Sequence, residues 1–377
     1  MKKPETLLIV AASEHDADML YATGIFVPDP FIFLRARGRP TLVMSDLEID
    51  RARRQASNCR VLPLSRYIKK LRAAKVKHPN LAQALALVLR ERGIRSAVVP
   101  HSFPHGLAAG LKKGRIRVTA KEGSFFPQRE HKSAAEVKKI SAALMMAEVG
   151  MAEAIQALRS SKIGRDKRLL YHNVPLTCEK LRGIIDTAIL QVSGLASRTI
   201  VAGGRQGCDP HEIGHGPLRA NEPIILDIFP RSQTTGYFGD ITRTVVRGRA
   251  SEGVRALYDT VLQGQALAFK QMRPGQKTAD IHKAVLEFFD KRGYKTGKRK
   301  GRMQGFFHGT GHGLGLDIHE PPRVGLNSPG ELKAGNVVTV EPGLYYPDLG
   351  GVRIEDVALV THSRPRNLTR FEKVLEI

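Results

Sequence analysis

At 377 residues, 42% of them hydrophobic, the chain is too long for one small core and too apolar to be disordered or fibrous, so two globular domains are expected. Its three cysteines, Cys59, Cys178 and Cys208, are odd in number, widely spaced and free of any Cys-x-x-Cys pattern, which argues against a disulfide framework and fits a reducing compartment. The formal charge of +24 draws anionic partners, yet the basic residues run through the whole chain, aromatics are only 6% and Trp is absent, so a dedicated nucleic-acid function does not follow.

The stretch MKKPETLLIVAAS sets two lysines before a short apolar run that acids follow at once. The run is too short for the hydrophobic region of most signal peptides and reads as a first β-strand. No stretch comes near the roughly 18 apolar residues that a membrane span requires, so a cytoplasmic protein without membrane contact is expected. Strand-like runs at 6–13, 30–36, 41–46, 96–102 and 115–120 alternate with helix-like runs at 47–56, 65–74 and 80–93. This predicts an α/β N-terminal domain over residues 1–130. Its sole polar pair of note, His101 and His105 in PHSFPHG, reads as loop.

From residue 132 the pattern changes to one long helix, with Ser133 as N-cap and Glu136 at the capping-box position. A second helix follows at 178–194, then strand-like runs at 198–204, 223–230 and 237–248. The order then repeats, with helices at 252–272 and 278–293 and strands at 304–311, 336–346 and 351–361. Two helices and then antiparallel-type strands, run twice, predict a pseudo-symmetric α+β domain over 131–377. Between them the basic run KRGYKTGKRKGR, 291–302, reads as a solvated loop that biases which substrates approach.

The stretch DPHEIGHGPLR, 209–219, contains His-Glu-x-x-His at His211, Glu212 and His215, the pattern of one class of zinc proteases. That pattern works on a helix, where both histidines share a face. Here Pro210, Gly214, Gly216 and Pro217 interrupt the segment and no apolar helical period runs through it, so a loop between two strands is expected.

Four acids are less easily dismissed. Asp227 in PIILDIF, Asp240 in YFGDITRTVV, Glu341 in VVTVEPGLYY and Glu355 in GVRIEDVALV all interrupt apolar strand runs. A buried ionised acid is costly unless it is paired, hydrogen-bonded or bound to metal, and acids sharing a site repel unless cations are present. The Gly-rich run FFHGTGHGLGLDIHEPP, 306–322, adds His308, His312, His319 and Glu320. Four carboxylates and one imidazole would neutralise two divalent ions about 3.5 Å apart, which lower the pKa of a bridging water and polarise a carbonyl. The residues alone therefore point to metal-assisted hydrolysis.

These motifs, HGTGHGLGLDIHEPP, the Asp pair, VEPGLYY and GGVRIEDVALV, resemble the pita-bread metallopeptidases that include prolidase, aminopeptidase P and methionine aminopeptidase. Length and order resemble the Xaa-Pro group best, strongly from about residue 132 and in outline before it, with an N-terminal domain similar to that of creatinase and prolidase. The resemblance implies five metal ligands, Asp227, Asp240, His312, Glu341 and Glu355, with Glu341 also shuttling the proton. It implies that His319 contacts substrate near the scissile bond, that His308 lines the substrate pocket and that Arg353 supports the site. His211 matches an upstream histidine that assists substrate and transition-state binding. The implied activity is hydrolysis of the N-terminal bond of short peptides, before proline, by a metal-bridged hydroxide.

Mn2+ or Co2+ are the first expectation, and Zn2+ or Fe2+ also suit such donors. A peptide substrate and a homodimer are the family expectation, and dipeptidase and aminopeptidase both stay open. Two rivals, an inactive scaffold binding nucleic acid or protein through its basic surface and a metal-free creatinase-like hydrolase, should show substituted ligands, whereas all five stand here. One departure is the spacing of Asp227 and Asp240, thirteen residues and so two more than is usual in the family, expected as a longer RSQTTG turn that keeps both side chains facing one way.

Overall fold

The apolar run Leu7–Ala11 forms the first strand because it is covered on both faces, which suits a continuous apolar run better than an alternating one. In the computed structural model, which describes residues 5–377, it lies inside a six-stranded sheet. The strands are β1 (Leu7–Ala11), β2 (Phe31–Arg35), β3 (Thr41–Met44), β4 (Arg60–Pro63), β5 (Ser96–Val99) and β6 (Arg117–Ala120), in the order β4-β3-β2-β1-β5-β6. Leu8, Val10, Ile32 and Leu34 face one core layer, and Leu7, Ile9, Phe31 and Phe33 face the other. The chain divides into two compact units between Arg129 and Glu130.

Three elements of the first unit escape the sequence pattern. The helix Ala17–Thr23 is too short to show a period, yet Asp16 caps it by accepting from the Met19 N–H at 2.7 Å and Gly24 ends it at φ 69°. Strand β4 pairs parallel with β3, and its RVLP sequence alone gives little sign of that. His105 is not in a loop, as expected, but opens the helix His105–Lys113 behind Pro104, where the fixed proline φ suits a helix start; His101 stays in a turn.

In the second unit the helix Ala134–Arg159 starts at Ser133 with both capping-box hydrogen bonds to Glu136 made. Among the described residues it is the one helix long and apolar enough, by length and composition, to cross a membrane, so the expectation that no stretch comes near that limit is corrected. Half of its most apolar window is buried inside the protein, where Val137, Ile140, Leu144 and Met151 pack, and a core helix passes the same test. The helix Cys178–Gln191 and the antiparallel strands Ile200–Gly203, Pro223–Ile228 and Ile241–Val246 complete the first half. The helices Glu252–Gln271 and Thr278–Lys291 and a five-stranded sheet carrying Gly311–Gly313, Val337–Val340 and Asp356–Leu359 repeat that order.

Two expectations here change. QGFFHGTG is not one strand: Gly305, at φ 88°, breaks it between Arg302–Gln304 and Gly311–Gly313. The basic run is not a plain loop, because Gly297–Arg299 and Arg302–Gln304 pair as a hairpin turned at Lys300 and Gly301, with φ of 49° and 80°.

The His-Glu-x-x-His segment is non-helical, as expected, with a short 3-10 turn at Gly204–Cys208 before it. Gly214 shows why. Its φ is +80°, and a Cβ there would stand 1.8 Å from the Val201 carbonyl oxygen. Gly214→Ala is expected to cost more than about 3 kcal/mol, read as a fall of roughly 5–10 °C in the unfolding midpoint. A shift under about 1 °C would show that the loop is not pinned there.

Candidate metal centre

Backbone register brings the acids together. Asp227 pairs with Thr242 across Pro223–Ile228 and Ile241–Val246, so Asp240, two residues earlier, lies on the same face. The parity argument from sequence thus holds, although the longer connection is more than a bare turn. Arg231–Ser232 pairs with Gly194–Leu195, the turn falls at 233–235, and the Phe238 N–H donates to the Gly315 carbonyl. Glu341 follows the strand Val337–Val340, and Glu355 sits between Gly350–Arg353 and Asp356–Leu359. His312 lies in Gly311–Gly313, where a Cβ on Gly311 would meet the Thr339 carbonyl at 1.9 Å, so glycine permits the close strand approach.

Asp227, Asp240, His312, Glu341 and Glu355 all line one cavity of about 680 Å³. Ligand atoms of Asp240, His312 and Glu355 lie within 4.8 Å of one another. His312 Nε2 is 3.2 Å from Glu341 Oε1 and 3.7 Å from Asp240 Oδ2. Its Nδ1 donates to the Gly313 carbonyl at 3.1 Å, so Nε2 is the ring atom that faces the acids and the one that can ligate a metal once it carries no proton. Burial, then the charges of Glu355, Asp227 and Glu341, push the Asp240 carboxyl well above its usual range. Burial and the charges of Glu341 and Asp227 do the same to Glu355. Burial works against ionisation of Glu341 as well, but the hydrogen bond and charge of His312, with His308 and Arg353, prevail and hold it at about 2.

The donor set fits divalent cations on one further observation. Glu355 Oε2 accepts from the Thr242 hydroxyl at 2.7 Å, while Oε1, fully buried, has no partner. A carboxylate oxygen left bare beside three other acids is costly unless a cation faces it.

The remaining candidates surround this cluster. Arg353, buried, gives Nη2 to Asp227 Oδ2 at 2.8 Å and Nη1 to the Tyr345 hydroxyl at 2.9 Å. His308 donates Nδ1 to the Gly309 carbonyl at 2.8 Å, so its Nε2 accepts from the Tyr345 hydroxyl at 2.7 Å. Burial drives His308 down to about 4 and the Tyr345 phenol up to about 12, so both stay neutral at pH 7. The His319 ring stands edge-on to His312 with centroids 4.4 Å apart, and burial with the His312 and Arg323 charges drives it to about 4. His211 is exposed on the cavity wall, its N–H held by Asp209 at 3.2 Å. Glu320 turns away and pairs with Lys132. Glu212 and His215 lie 3.8 Å apart outside the cavity lining.

Sequence reasoning missed Tyr345, Thr242 and Thr339, whose hydroxyl donates to Glu341 Oε1 at 3.2 Å. Each lies an even number of residues from a site acid on its own stretch of chain, so strand parity was the available signal. Tyr345 joins Arg353 to His308 through one oxygen. Tyr345→Phe is expected to lower kcat/KM by about 10- to 100-fold in steady-state assays with the fold intact. A change under about twofold would show that the chain from Asp227 to His308 is idle.

Residues 138–362, more than half of the chain, match the model of Metallopeptidase family M24, and the chain belongs to that family. The X-Pro aminopeptidase of Thermotoga maritima shares the fold with a TM-score of 0.82 over 99% of this chain and 98% of that one, at 21% identity. A dipeptidase of Pyrococcus horikoshii is 27% identical with a TM-score of 0.80, covering 99% of this chain and 95% of that one. In sequence, an Xaa-Pro dipeptidase of Pyrococcus horikoshii is 30% identical over 289 residues, 75% of each protein. The architecture is therefore an N-terminal α/β domain followed by a pita-bread catalytic domain. Family membership implies a dinuclear metal site, for which Asp240, His312 and Glu355 are candidate ligands.

Proposed function

We propose that the protein hydrolyses the N-terminal bond of short peptides, with proline following that bond, using two divalent ions held by Asp227, Asp240, His312, Glu341 and Glu355. The observation that carries this reading is the meeting of all five donors in one cavity, with the Glu355 Oε1 atom bare among them. Relatives named as Xaa-Pro dipeptidases support the substrate class. An oxygen-rich set with one imidazole suits Mn2+ or Co2+ first.

Bound ions supply a water of lowered pKa and polarise the scissile carbonyl. Glu341, ionised and hydrogen-bonded by Thr339, takes a proton from the attacking water and returns it to the leaving amine. His319, neutral at pH 7, and His211, both on the cavity wall, hydrogen-bond the substrate and its developing negative oxygen. His308 lines the pocket, fixed by Tyr345, while Arg353 holds Asp227 in place. A volume of about 680 Å³ suits a short peptide and not a folded chain.

The test is metal analysis with a panel of Xaa-Pro and Xaa-Ala peptides of two to five residues. About two ions per chain and cleavage confined to the proline series are expected. Equal rates on the alanine series would overturn the proline preference, and undiminished hydrolysis after exhaustive chelation would overturn the metal reading. Cleavage of dipeptides alone, or of longer peptides too, separates dipeptidase from aminopeptidase.

A further inference from the structure

One end of the N-terminal sheet is rimmed with arginine. Arg60 opens β4, Arg39 precedes β3, Arg37 follows β2, Arg95 precedes β5 and Arg117 opens β6, while Arg92 ends the helix Leu81–Glu91 beside them. All six line one open cleft of about 1330 Å³, among whose described lining residues the sole acid is Glu5 and there is no lysine and no aromatic ring. Arg39 donates to the Ser57 carbonyl and Arg92 to the Val88 carbonyl at 3.1 Å, and the other four guanidiniums are exposed. Among the described residues none of the six forms an ion pair. Six like charges in one cleft repel one another, so the arrangement is unfavourable until an anion answers it.

The cleft exceeds the roughly 300–1,000 Å³ of small-molecule pockets, and five strand spacings of about 4.8 Å make the arginine row about 24 Å long. That fits a linear polymer better than a single nucleotide. Guanidinium forks match phosphate oxygens in pairs, and without aromatic rings there is no platform for bases. We infer that this end of the N-terminal sheet binds a linear phosphate chain through its backbone without reading bases. A nucleic-acid strand and inorganic polyphosphate share that chemistry. The site is independent of the peptidase reading, and it gives a location to an attraction that the net charge of +24 left diffuse.

The test titrates the full-length protein into a fluorescent oligothymidylate of about 12 nucleotides between about 50 and 200 mM KCl. Six contacts predict a slope of log K against log salt of about −4. The triple variant Arg37→Ala, Arg60→Ala, Arg117→Ala should bind about tenfold or more weakly with a slope of about −2, its fold checked by circular dichroism. If it fails to fold, Arg37→Lys, Arg60→Lys, Arg117→Lys keeps the charge, so the slope should stay while affinity falls about threefold with loss of the paired hydrogen bonds. As a control, Lys298→Ser, Arg299→Ser, Lys300→Ser in the second-unit hairpin should leave binding within about twofold. Wild-type affinity in the sheet-end variant, equal loss in the hairpin variant, or competition by polyglutamate as strong per charge as by oligothymidylate would overturn the inference. Competition by inorganic polyphosphate supports it, and the tighter of the two polymers names the source.

Discussion

Asp240→Asn is expected to lower kcat/KM on an Xaa-Pro peptide by about four orders of magnitude and, without metal, to raise the unfolding midpoint. The two effects share one cause. Asp240 is only 4% exposed, and burial, then Glu355, Asp227 and Glu341, already oppose its ionisation. Asparagine keeps the shape and removes the charge. Without cations it relieves repulsion, worth roughly 3–6 °C for a unit of this size. With cations it removes a ligand, so the variant should gain little from added Mn2+ while the wild type gains much. Opposite signs in metal-free and metal-loaded protein are what a packing defect does not produce. Differential scanning fluorimetry with and without metal reads the stability arm, and a variant destabilised in both states would refute the assignment of Asp240 to the cation site.

The stabilisation conferred by metal should grow as pH rises from about 5 to 8. Asp240 and Glu355 have raised carboxyl pKa values, so their favourable share of metal-free stability is complete below the unfolded values near 4 and is lost as pH climbs through the folded ones. Glu341 runs the other way: held at about 2, its contribution is present above about 4.3 and lost only in stronger acid. His308 and His319, lowered to about 4, act in the same sense as Glu341: their contribution to metal-free stability is complete above about 6.5 and is lost as pH falls towards 4. Ions bind the ionised acids, so each proton released makes binding more favourable by about 1.4 kcal/mol per pH unit. Melting curves at several pH values, with metal and with chelator, check this. A metal-induced shift independent of pH would contradict it, and Asp240→Asn should flatten the dependence.

The site acids were legible because an acid inside an apolar strand is a local anomaly. Asp227 among PIILDIF and Glu355 among GVRIEDVALV announce a cost that only a partner offsets. The rejection of His-Glu-x-x-His was legible for the same reason, since proline and glycine restrict backbone wherever they occur, and Gly214 does adopt a φ of +80°. Tyr345 lies four residues from Glu341, but that parity alone does not distinguish it from a core aromatic of its strand. Its role depends on two neighbours, Arg353 eight residues away and His308 thirty-seven away, that only folding brings to one oxygen. The short helix Ala17–Thr23 and the helix at His105 were hidden by their length, too few turns to print a period.

The sequence by itself determined an α/β unit followed by an α+β one, the repeated order of the second, the residue types of a candidate metal centre and the loop nature of DPHEIGHGPLR. These follow from properties that act within a few residues: periodicity, capping, backbone restriction and the cost of an isolated buried charge. The tertiary structure alone decided which acids share a cavity, which oxygen of Glu355 is left bare, how Tyr345 bridges Arg353 and His308, and that six arginines spread from 37 to 117 rim a single cleft. Those depend on strand register and sheet order, which join residues far apart in the chain, as Thr242 and Glu355 are, 113 positions from each other. Contacts across such separations are set by the packing of the whole unit and leave no local mark on the chain.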